Sequence, residues 1–260
     1  MQAGWARACS NLSREVSNPE PCLAISFLSP MKNSSAADVH LLDNPIWSAL
    51  SSEQAYLAQT NVLARRFPGD VAPFGAMAGQ SAAEYHALAE ILAGDTAALF
   101  LDAPPRLPDG WSMVLRGEMY QMVFEAPPPV ATVFRELTAA DVPEMLALTK
   151  LTQPGPFLPR TIELGSYFGI REAGSLVAMA GERLHLTGFA EVSAVCTHPD
   201  FRGRGYSNAL MSAVISGILR RGETPFLHAK TDNPAVSLYQ KLGFKVRAEL
   251  HLAVIKYGPS

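Results

Sequence analysis

The stretch from Ala190 to Ile215 constrains the fold of this chain more than any other. It begins with strand-forming residues such as Val192 and Val195, and His198-Pro199-Asp200 then ends the strand because proline cannot donate a backbone hydrogen bond. Arg202-Gly203-Arg204-Gly205 follows and leads into an apolar helical segment. A strand, a glycine-rich turn and a helix N-terminus form a cradle for an anion, since glycines let backbone N–H groups approach a phosphate and the helix dipole favours negative charge.

Neither of the two common nucleotide-binding motifs fits this cradle. The GxGxxG fingerprint is absent, and the strand before the turn is not the first of a βαβ unit. The P-loop pattern GxxxxGK[ST] is also missing. Taken alone, the turn therefore leaves two interpretations open: an anion site of another kind, or a glycine turn without a ligand.

Composition and charge exclude several classes of protein. The chain has 260 residues, 48% of them hydrophobic and 17% charged, which is typical of a globular protein. A formal net charge of −3 gives no electrostatic basis for binding nucleic acid or acidic lipid. No apolar run reaches the roughly 18 residues that cross a membrane, and the N-terminus lacks the pattern of a signal peptide. We expect a cytoplasmic protein with no nucleic-acid or membrane partner.

The cysteines are Cys9, Cys22 and Cys196. Three cysteines are too few for a disulfide framework, and no CxxC pair or Cys/His cluster has the spacing of metal ligands. We expect no bound metal. Cys196 lies among apolar and small residues, so we interpret it as a packed thiol and not as a nucleophile.

The chain divides into four predicted parts. Residues 1–42 have no sustained periodicity and predict a flexible leader, within which Met31 is a possible natural start. Residues 43–126 predict a smaller α+β domain, and residues 127–130 a proline-rich linker, because consecutive prolines favour polyproline II. Residues 131–260 predict the second domain.

Local patterns predict the elements of both domains. In the first, we expect helices over 53–67 and 81–93, the latter with a capping box of Ser81 and Glu84, and strands over 96–101 and 111–124. From Thr132 the predicted order is β-α-loop-β-β-β-α-β-α-β-β, with final strands over 244–246 and 250–255. This order predicts an α/β fold in which helices cover both faces of a mixed, largely antiparallel sheet.

A second motif lies about 26 residues after Gly205, at Asn233…Ala235…Leu238-Tyr239…Leu242-Gly243-Phe244. With it, residues 131–257 resemble the GNAT superfamily of acyl-CoA-dependent N-acyltransferases. The stretch Arg202 to Ser207 is similar to the family's pyrophosphate signature Q/R-x-x-G-x-G/A, and the second motif to its downstream helix. Ser207 departs from the pattern, which has Gly or Ala there.

The resemblance implies acetyl-CoA as the acyl donor and assigns residues to it. Backbone N–H groups of the turn would hold the coenzyme A pyrophosphate, and the pantetheine arm would lie along the preceding strand. Asn233 would cap its helix and contact the pantetheine amides. The implied cofactor-binding residues are Val195, Cys196, Thr197, Arg202, Gly203, Arg204, Gly205, Tyr206, Ser207, Asn208 and Asn233. For Arg202 and Arg204, a role as solvated surface cations stays open.

Two catalytic residues follow from the same resemblance. Tyr239 occupies the general-acid position, and a phenol with a pKa near 10 can protonate a departing thiolate whose conjugate acid has a pKa near 8.5. Glu191 is the candidate general base for the acceptor amine. The alternatives are a tyrosine that only packs, and a glutamate that faces solvent or binds a cationic substrate. Glu182 and His198 are weaker candidates for the base, and His198 fits a turn residue better.

The implied reaction is direct transfer of an acetyl group to a primary amine of a small molecule or amino acid in a ternary complex. The motif is also similar to the branch that includes glycine-N-acyltransferase-like proteins. Some members of that branch carry a second, degenerate copy of the fold, and residues 43–126 are a candidate for one, without a phosphate turn. A non-catalytic acyl-CoA-binding or sensor module and a protein N-acetyltransferase are the alternatives.

Overall fold

The computed structural model describes residues 40–130 and 132–258. Its helices are α1 (Pro45–Ala49), α2 (Ala82–Leu92), α3 (Val142–Thr152), α4 (Tyr206–Arg220) and α5 (Val236–Leu242). Its strands are β1 (Gln59–Thr60), β2 (Ala64–Arg66), β3 (Gly75–Met77), β4 (Thr96–Leu101), β5 (Trp111–Phe124), β6 (Arg135–Glu136), β7 (Tyr167–Glu172), β8 (Ser175–Leu186), β9 (Phe189–Thr197), β10 (Thr224–Lys230) and β11 (Phe244–Tyr257). None of the helices in these ranges is long and apolar enough to cross a membrane.

An eight-stranded sheet with the order β4-β11-β5-β10-β9-β8-β7-β6 forms the frame of the molecule. Neighbouring strands are antiparallel except β9 and β10, which are parallel. The strands β1, β2 and β3 form a separate small sheet. The largely antiparallel α/β fold predicted from the element order is therefore confirmed.

Helices cover both faces of the large sheet. On one face, α4 and α5 pack on inward side chains that include Ala190, Val192 and Leu227. On the other face, α1 packs on Leu184, Leu186 and Phe226, and α3 packs on Met179 and Cys196. Because side chains alternate along a strand, Glu191 and His228 face the second side, toward the N-terminal part of the chain.

The predicted helix over 53–67 is wrong. The structure has a short 3-10 turn at Ala55–Leu57 and then the hairpin of β1 and β2. Asn61 explains the difference, because its Oδ1 accepts hydrogen bonds from the backbone N–H groups of Leu63 (3.2 Å) and Ala64 (2.9 Å). A side chain that satisfies the backbone in this way favours a turn over a helix.

Strand pairing crosses the proline-rich stretch at 127–130. The strand β5 precedes this stretch, yet it lies between β10 and β11, which follow it. The prolines thus connect strands of one shared sheet. The sequence instead predicted a boundary here, between a domain at 43–126 and a domain at 131–260. The reason is that both halves contribute strands to the same eight-stranded sheet.

The end of the predicted leader also belongs to the fold. Leu42 is fully buried in the core and lies in a short 3-10 turn, Leu41–Asp43. The rest of the predicted leader, including Met31, lies outside the described residues.

The last strand is continuous where the sequence predicted two. A bulge between Val246 and Ala248 in β11 replaces the predicted break. The bulge places Arg247 so that its guanidinium hydrogen-bonds Gln121 on β5 and Asp43 in the first turn. The predicted helix over 81–93 with its capping box is confirmed as α2.

Candidate active site

The glycine turn forms a cradle at the N-terminus of α4. Gly203 and Gly205 have φ angles of 78° and 79°, in the left-handed region that favours glycine. No side chain caps α4, so its first backbone N–H groups stay available to a ligand. A cavity of about 220 Å³ opens here. It is lined by Thr197, Phe201, Arg202, Gly203, Gly205, Tyr206, Ser207, Asn208 and Leu238.

Two cations stand beside this cavity. The Arg202 and Arg204 side chains are exposed, and neither lies within 4.0 Å of a carboxylate of the described residues. The Arg204 guanidinium stacks 4.8 Å above the Phe201 ring. Their charge is therefore available to an anion in the cradle.

Ser207, the residue that departs from the family pattern, makes a local bond. Its hydroxyl lies 3.0 Å from the Thr197 hydroxyl, across the cradle from the end of β9. The neighbouring Tyr206 hydroxyl bonds the Glu172 carboxylate at the end of β7. Both contacts tie the start of α4 to the sheet.

The parallel strands β9 and β10 separate next to the cradle. They pair only at Phe189–Thr224, Ala190–Pro225 and Glu191–Phe226, although β9 continues to Thr197 and β10 to Lys230. A bulge at Ala194, with φ of 52°, turns β9 in this region. Beyond Glu191, the β9 edge that includes Val195 to Thr197 has no partner in β10. We call this opening the splay.

Tyr239 lies in α5, the helix that borders the cavity, and Asn233 lies in the turn just before α5. Leu238, the neighbour of Tyr239 in α5, lines the cavity. Tyr239 is 8% exposed, and its burial raises the pKa of the phenol above 10.0, so the hydroxyl keeps its proton at neutral pH. Asn233 Oδ1 accepts a hydrogen bond of 2.9 Å from the Ala235 N–H at the start of α5.

Glu191 is buried in a polar network. Its carboxylate accepts hydrogen bonds of 2.8 and 2.6 Å from Arg183 and lies 2.8 Å from His228 Nδ1, with no exposed surface. Burial alone raises the pKa of Glu191, but the charge and hydrogen bonds of Arg183 and the bond with His228 outweigh it and hold the pKa at about 2. Both carboxylate oxygens are bonded inside the fold and the residue has no exposed surface, so the side chain has no face open to an amine. The geometry therefore opposes Glu191 as the direct base.

The weaker candidates for the base are engaged elsewhere. Glu182 is buried and pairs with Arg221 at 2.6 Å. His198 Nδ1 accepts a bond of 3.3 Å from the Asp200 N–H and shapes the turn after β9.

Burial raises the pKa of the Cys196 thiol to about 11, as fits a packed cysteine.

Sequence reasoning missed Arg183, Gln121 and His228. Each is a polar residue whose side chain is buried in a strand that is otherwise largely apolar. His228, for example, lies between the buried residues Leu227 and Ala229. A charged residue or a histidine within such an apolar strand could have indicated a buried polar network, since buried polar groups require hydrogen-bond partners.

In the N-terminal part, one parallel bridge joins two segments that α2 connects. Phe74, the residue before β3, bridges Ala98 of β4. At the α2 N-terminus, the Glu84 carboxylate accepts a bond of 2.7 Å from the Ser81 N–H. A side chain of α2 itself therefore satisfies the backbone at this helix N-terminus.

Comparison with known proteins gives consistent matches. Residues 167–252 match the FR47-like protein family. A GNAT-family protein of known structure from Novosphingobium aromaticivorans is 34% identical, and the alignment covers 85% of this chain and 100% of that chain with a TM-score of 0.77. A GCN5-related N-acetyltransferase-like protein from Streptococcus suis is 17% identical with a TM-score of 0.55, covers 82% of this chain and 92% of that one, and shares the fold.

A curated relative matches over a shorter range. The acetyltransferase YE1169 of Yersinia enterocolitica is 41% identical over 58 residues, which span 21% of this chain and 40% of that protein. The fold and the matches define an acyltransferase. The chain belongs to the GNAT family. The described residues contain no group of His, Cys, Asp and Glu that would hold a metal ion.

A valine at Gly205 is expected to weaken binding of coenzyme A, the ligand that the family resemblance implies for the cradle, about 10- to 100-fold. The side chain would disturb the backbone N–H groups of the cradle, and each lost hydrogen bond to a charged group is worth about 1.5–3 kcal/mol. Calorimetry with coenzyme A measures the effect.

Gly222→Val is the matched control, because Gly222 has a φ of 78°, equally open surroundings and a place at the far end of α4. Both variants lose about 1–2 kcal/mol of stability. Equal coenzyme A affinity in the two would contradict the cradle.

Proposed function

We propose that this protein transfers an acetyl group from acetyl-CoA to a primary amine of a small molecule or amino acid. The observation that carries the proposal is the cradle at the α4 N-terminus, which lies directly beside the splay of β9 and β10. An anion site next to an unpaired strand edge fits a ligand that has a pyrophosphate at one end and an extended amide arm at the other.

The proposed roles follow the geometry. Backbone N–H groups of residues 203–208 bind the pyrophosphate, with Arg202 and Arg204 adding positive charge. The β9 edge from Val195 to Thr197 offers backbone groups to the pantetheine amides and a donor to the thioester carbonyl. Acetyl-CoA supplies the activated acyl group.

Proton transfer in the proposed reaction uses Tyr239 as the general acid. Burial raises the pKa of the phenol, so the hydroxyl is protonated before the reaction and can donate its proton to the departing coenzyme A thiolate. Glu191 does not serve as the base, so the amine is taken up in its neutral form or loses its proton to water. The acceptor is a small molecule or amino acid in this proposal. Nothing in the described residues favours a protein acceptor.

The test is a reaction of the purified protein with acetyl-CoA and a panel of primary amines that includes the amino acids. We expect free coenzyme A and an N-acetylated product in equal amounts for at least one acceptor. Longer acyl-CoA thioesters, assayed in parallel, define the acyl group. If calorimetry detects no binding of coenzyme A and no acceptor yields product, the proposal is rejected.

A further inference from the structure

We propose that the Glu191–His228 hydrogen bond is a positioning device that sets the separation of β9 and β10 at the splay. The inference rests on the proposed function, because it assigns a role at the strand edge where the acyl donor would lie. His228 and Glu191 are positioning residues here, since neither has side-chain surface exposed to a ligand.

The location of the bond supports this role. Glu191 and Phe226 form the last backbone pair between the two strands. His228 lies two residues further along β10, and its Nδ1 is 2.8 Å from Glu191 Oε1. A side-chain bond therefore links the strands at the first point where backbone hydrogen bonds no longer do.

Gln121 on β5 fixes which ring nitrogen of His228 carries the hydrogen. Its Nε2 donates to the Leu42 carbonyl at 2.8 Å, and its Oε1 accepts from Arg247 at 2.8 Å, so the amide has one orientation. The other Nε2 hydrogen then faces His228 Nε2 at 3.2 Å. His228 Nε2 is thus the acceptor, and Nδ1 carries the hydrogen that is donated to Glu191.

The groups around this bond hold it rigidly. Arg183 on β8 makes two hydrogen bonds to the Glu191 carboxylate, and its guanidinium stacks 4.8 Å above the Phe74 ring. The His228 ring stacks on Phe100 with a centroid distance of 4.3 Å. Asp43 pairs with Arg247 at the far end of the network. The N-terminal part of the chain therefore supports the splay through the carbonyl of Leu42 and the side chains of Asp43, Phe74, Phe100 and Gln121.

Two replacements of His228 distinguish the effect of losing the hydrogen bond to Glu191 from the effect of losing the imidazole ring. In His228→Asn the amide nitrogen lies near the position of Nδ1 and can still donate to Glu191. In His228→Gln the amide lies near the position of Nε2 and the bond to Glu191 is lost. We expect His228→Asn to bind coenzyme A within about 3-fold of the parent, and His228→Gln to bind about 10-fold more weakly, as expected for one charge-assisted hydrogen bond.

Three measurements decide the outcome. Calorimetry gives the coenzyme A affinity, denaturant unfolding gives the stability of each variant, and hydrogen exchange reports the opening of residues 224–230. Faster exchange there in His228→Gln than in His228→Asn supports the proposal. Equal affinity and equal exchange in two folded variants overturn it.

A second arm covers the case in which His228→Gln does not fold. Gln121→Met removes the group that fixes the His228 ring but leaves the Glu191–Arg183 pair intact, and we expect coenzyme A affinity to fall about 3- to 10-fold. An unchanged affinity in this variant also overturns the proposal. The parent protein separates the two hypotheses: if it does not bind coenzyme A, the proposed function fails, whereas binding that no variant alters defeats only the positioning role.

Discussion

Replacing Glu191 with alanine is expected to destabilise the protein by about 3–5 kcal/mol, because it leaves the Arg183 guanidinium charged and unpaired inside the fold. Glu191 is fully buried and the Arg183 side chain is 9% exposed, so water cannot take over the lost partner. Denaturant unfolding of the parent and of Glu191→Ala measures the difference. Such a loss is a large part of the stability of an ordinary domain.

The double replacement Arg183→Met with Glu191→Met is the control. It removes both charges and keeps apolar volume, so we expect it to regain most of the lost stability. A double variant as unstable as Glu191→Ala would contradict the unpaired charge as the cause.

Acid provides an independent measure of the same pair. The pKa of Glu191 falls from 4.5 to about 2 on folding, so the folded state holds the ionised form more strongly than the unfolded chain does. Its contribution to stability is complete above pH 4.5 and is lost as the pH falls toward 2. The double methionine variant should lack this part of the acid dependence, which unfolding at a series of pH values would reveal.

Tyr239→Phe is expected to reduce kcat about 10²- to 10⁴-fold, the range for loss of a general acid. The pKa of the phenol is raised by burial, and the hydroxyl is the only polar group that the substitution removes. Coenzyme A affinity should stay within about 3-fold of the parent, since the cradle is unchanged. Steady-state kinetics with calorimetry separates the two quantities.

Tyr85→Phe is the matched control for this substitution. Tyr85 is also a buried tyrosine, it packs with Leu88 and Leu99 in the N-terminal part, and its hydroxyl has no hydrogen-bond partner among the described residues. We expect its kcat to equal that of the parent. A full kcat in Tyr239→Phe would show that another group or water protonates the thiolate.

The strand, turn and helix from Ala190 to Ile215 were predictable because local rules determine them. Proline ends a strand, glycine permits the left-handed turn, and helical periodicity marks α4, all within a short stretch of chain. The cradle and its place before α4 followed from these residues alone. The same local rules identified α2 through its capping box.

The network around Glu191 was not predictable from local rules. Its hydrogen-bonded members come from six separated parts of the chain, at residues 42–43, 121, 183, 191, 228 and 247, and their pairing depends on strand order. The position of Glu191 in the family pattern suggested a base, yet the pKa depends on Arg183 and His228 brought to it by β8 and β10. The helix predicted over 53–67 failed for a different reason, since one asparagine outweighed a weak apolar pattern.

The insertion of β5 between β10 and β11 has a consequence for biosynthesis. The strand β4 finds its antiparallel partner in residues 251–256, and residues 111–124 pair on both sides with strands made later. While the ribosome is still adding the C-terminal third, the N-terminal strands therefore expose unpaired edges. Pairing between such distant segments slows folding. A chain that stops before β11 lacks the partner of β4, so truncation near the C-terminus should harm the N-terminal half of the molecule as much as the half that it shortens.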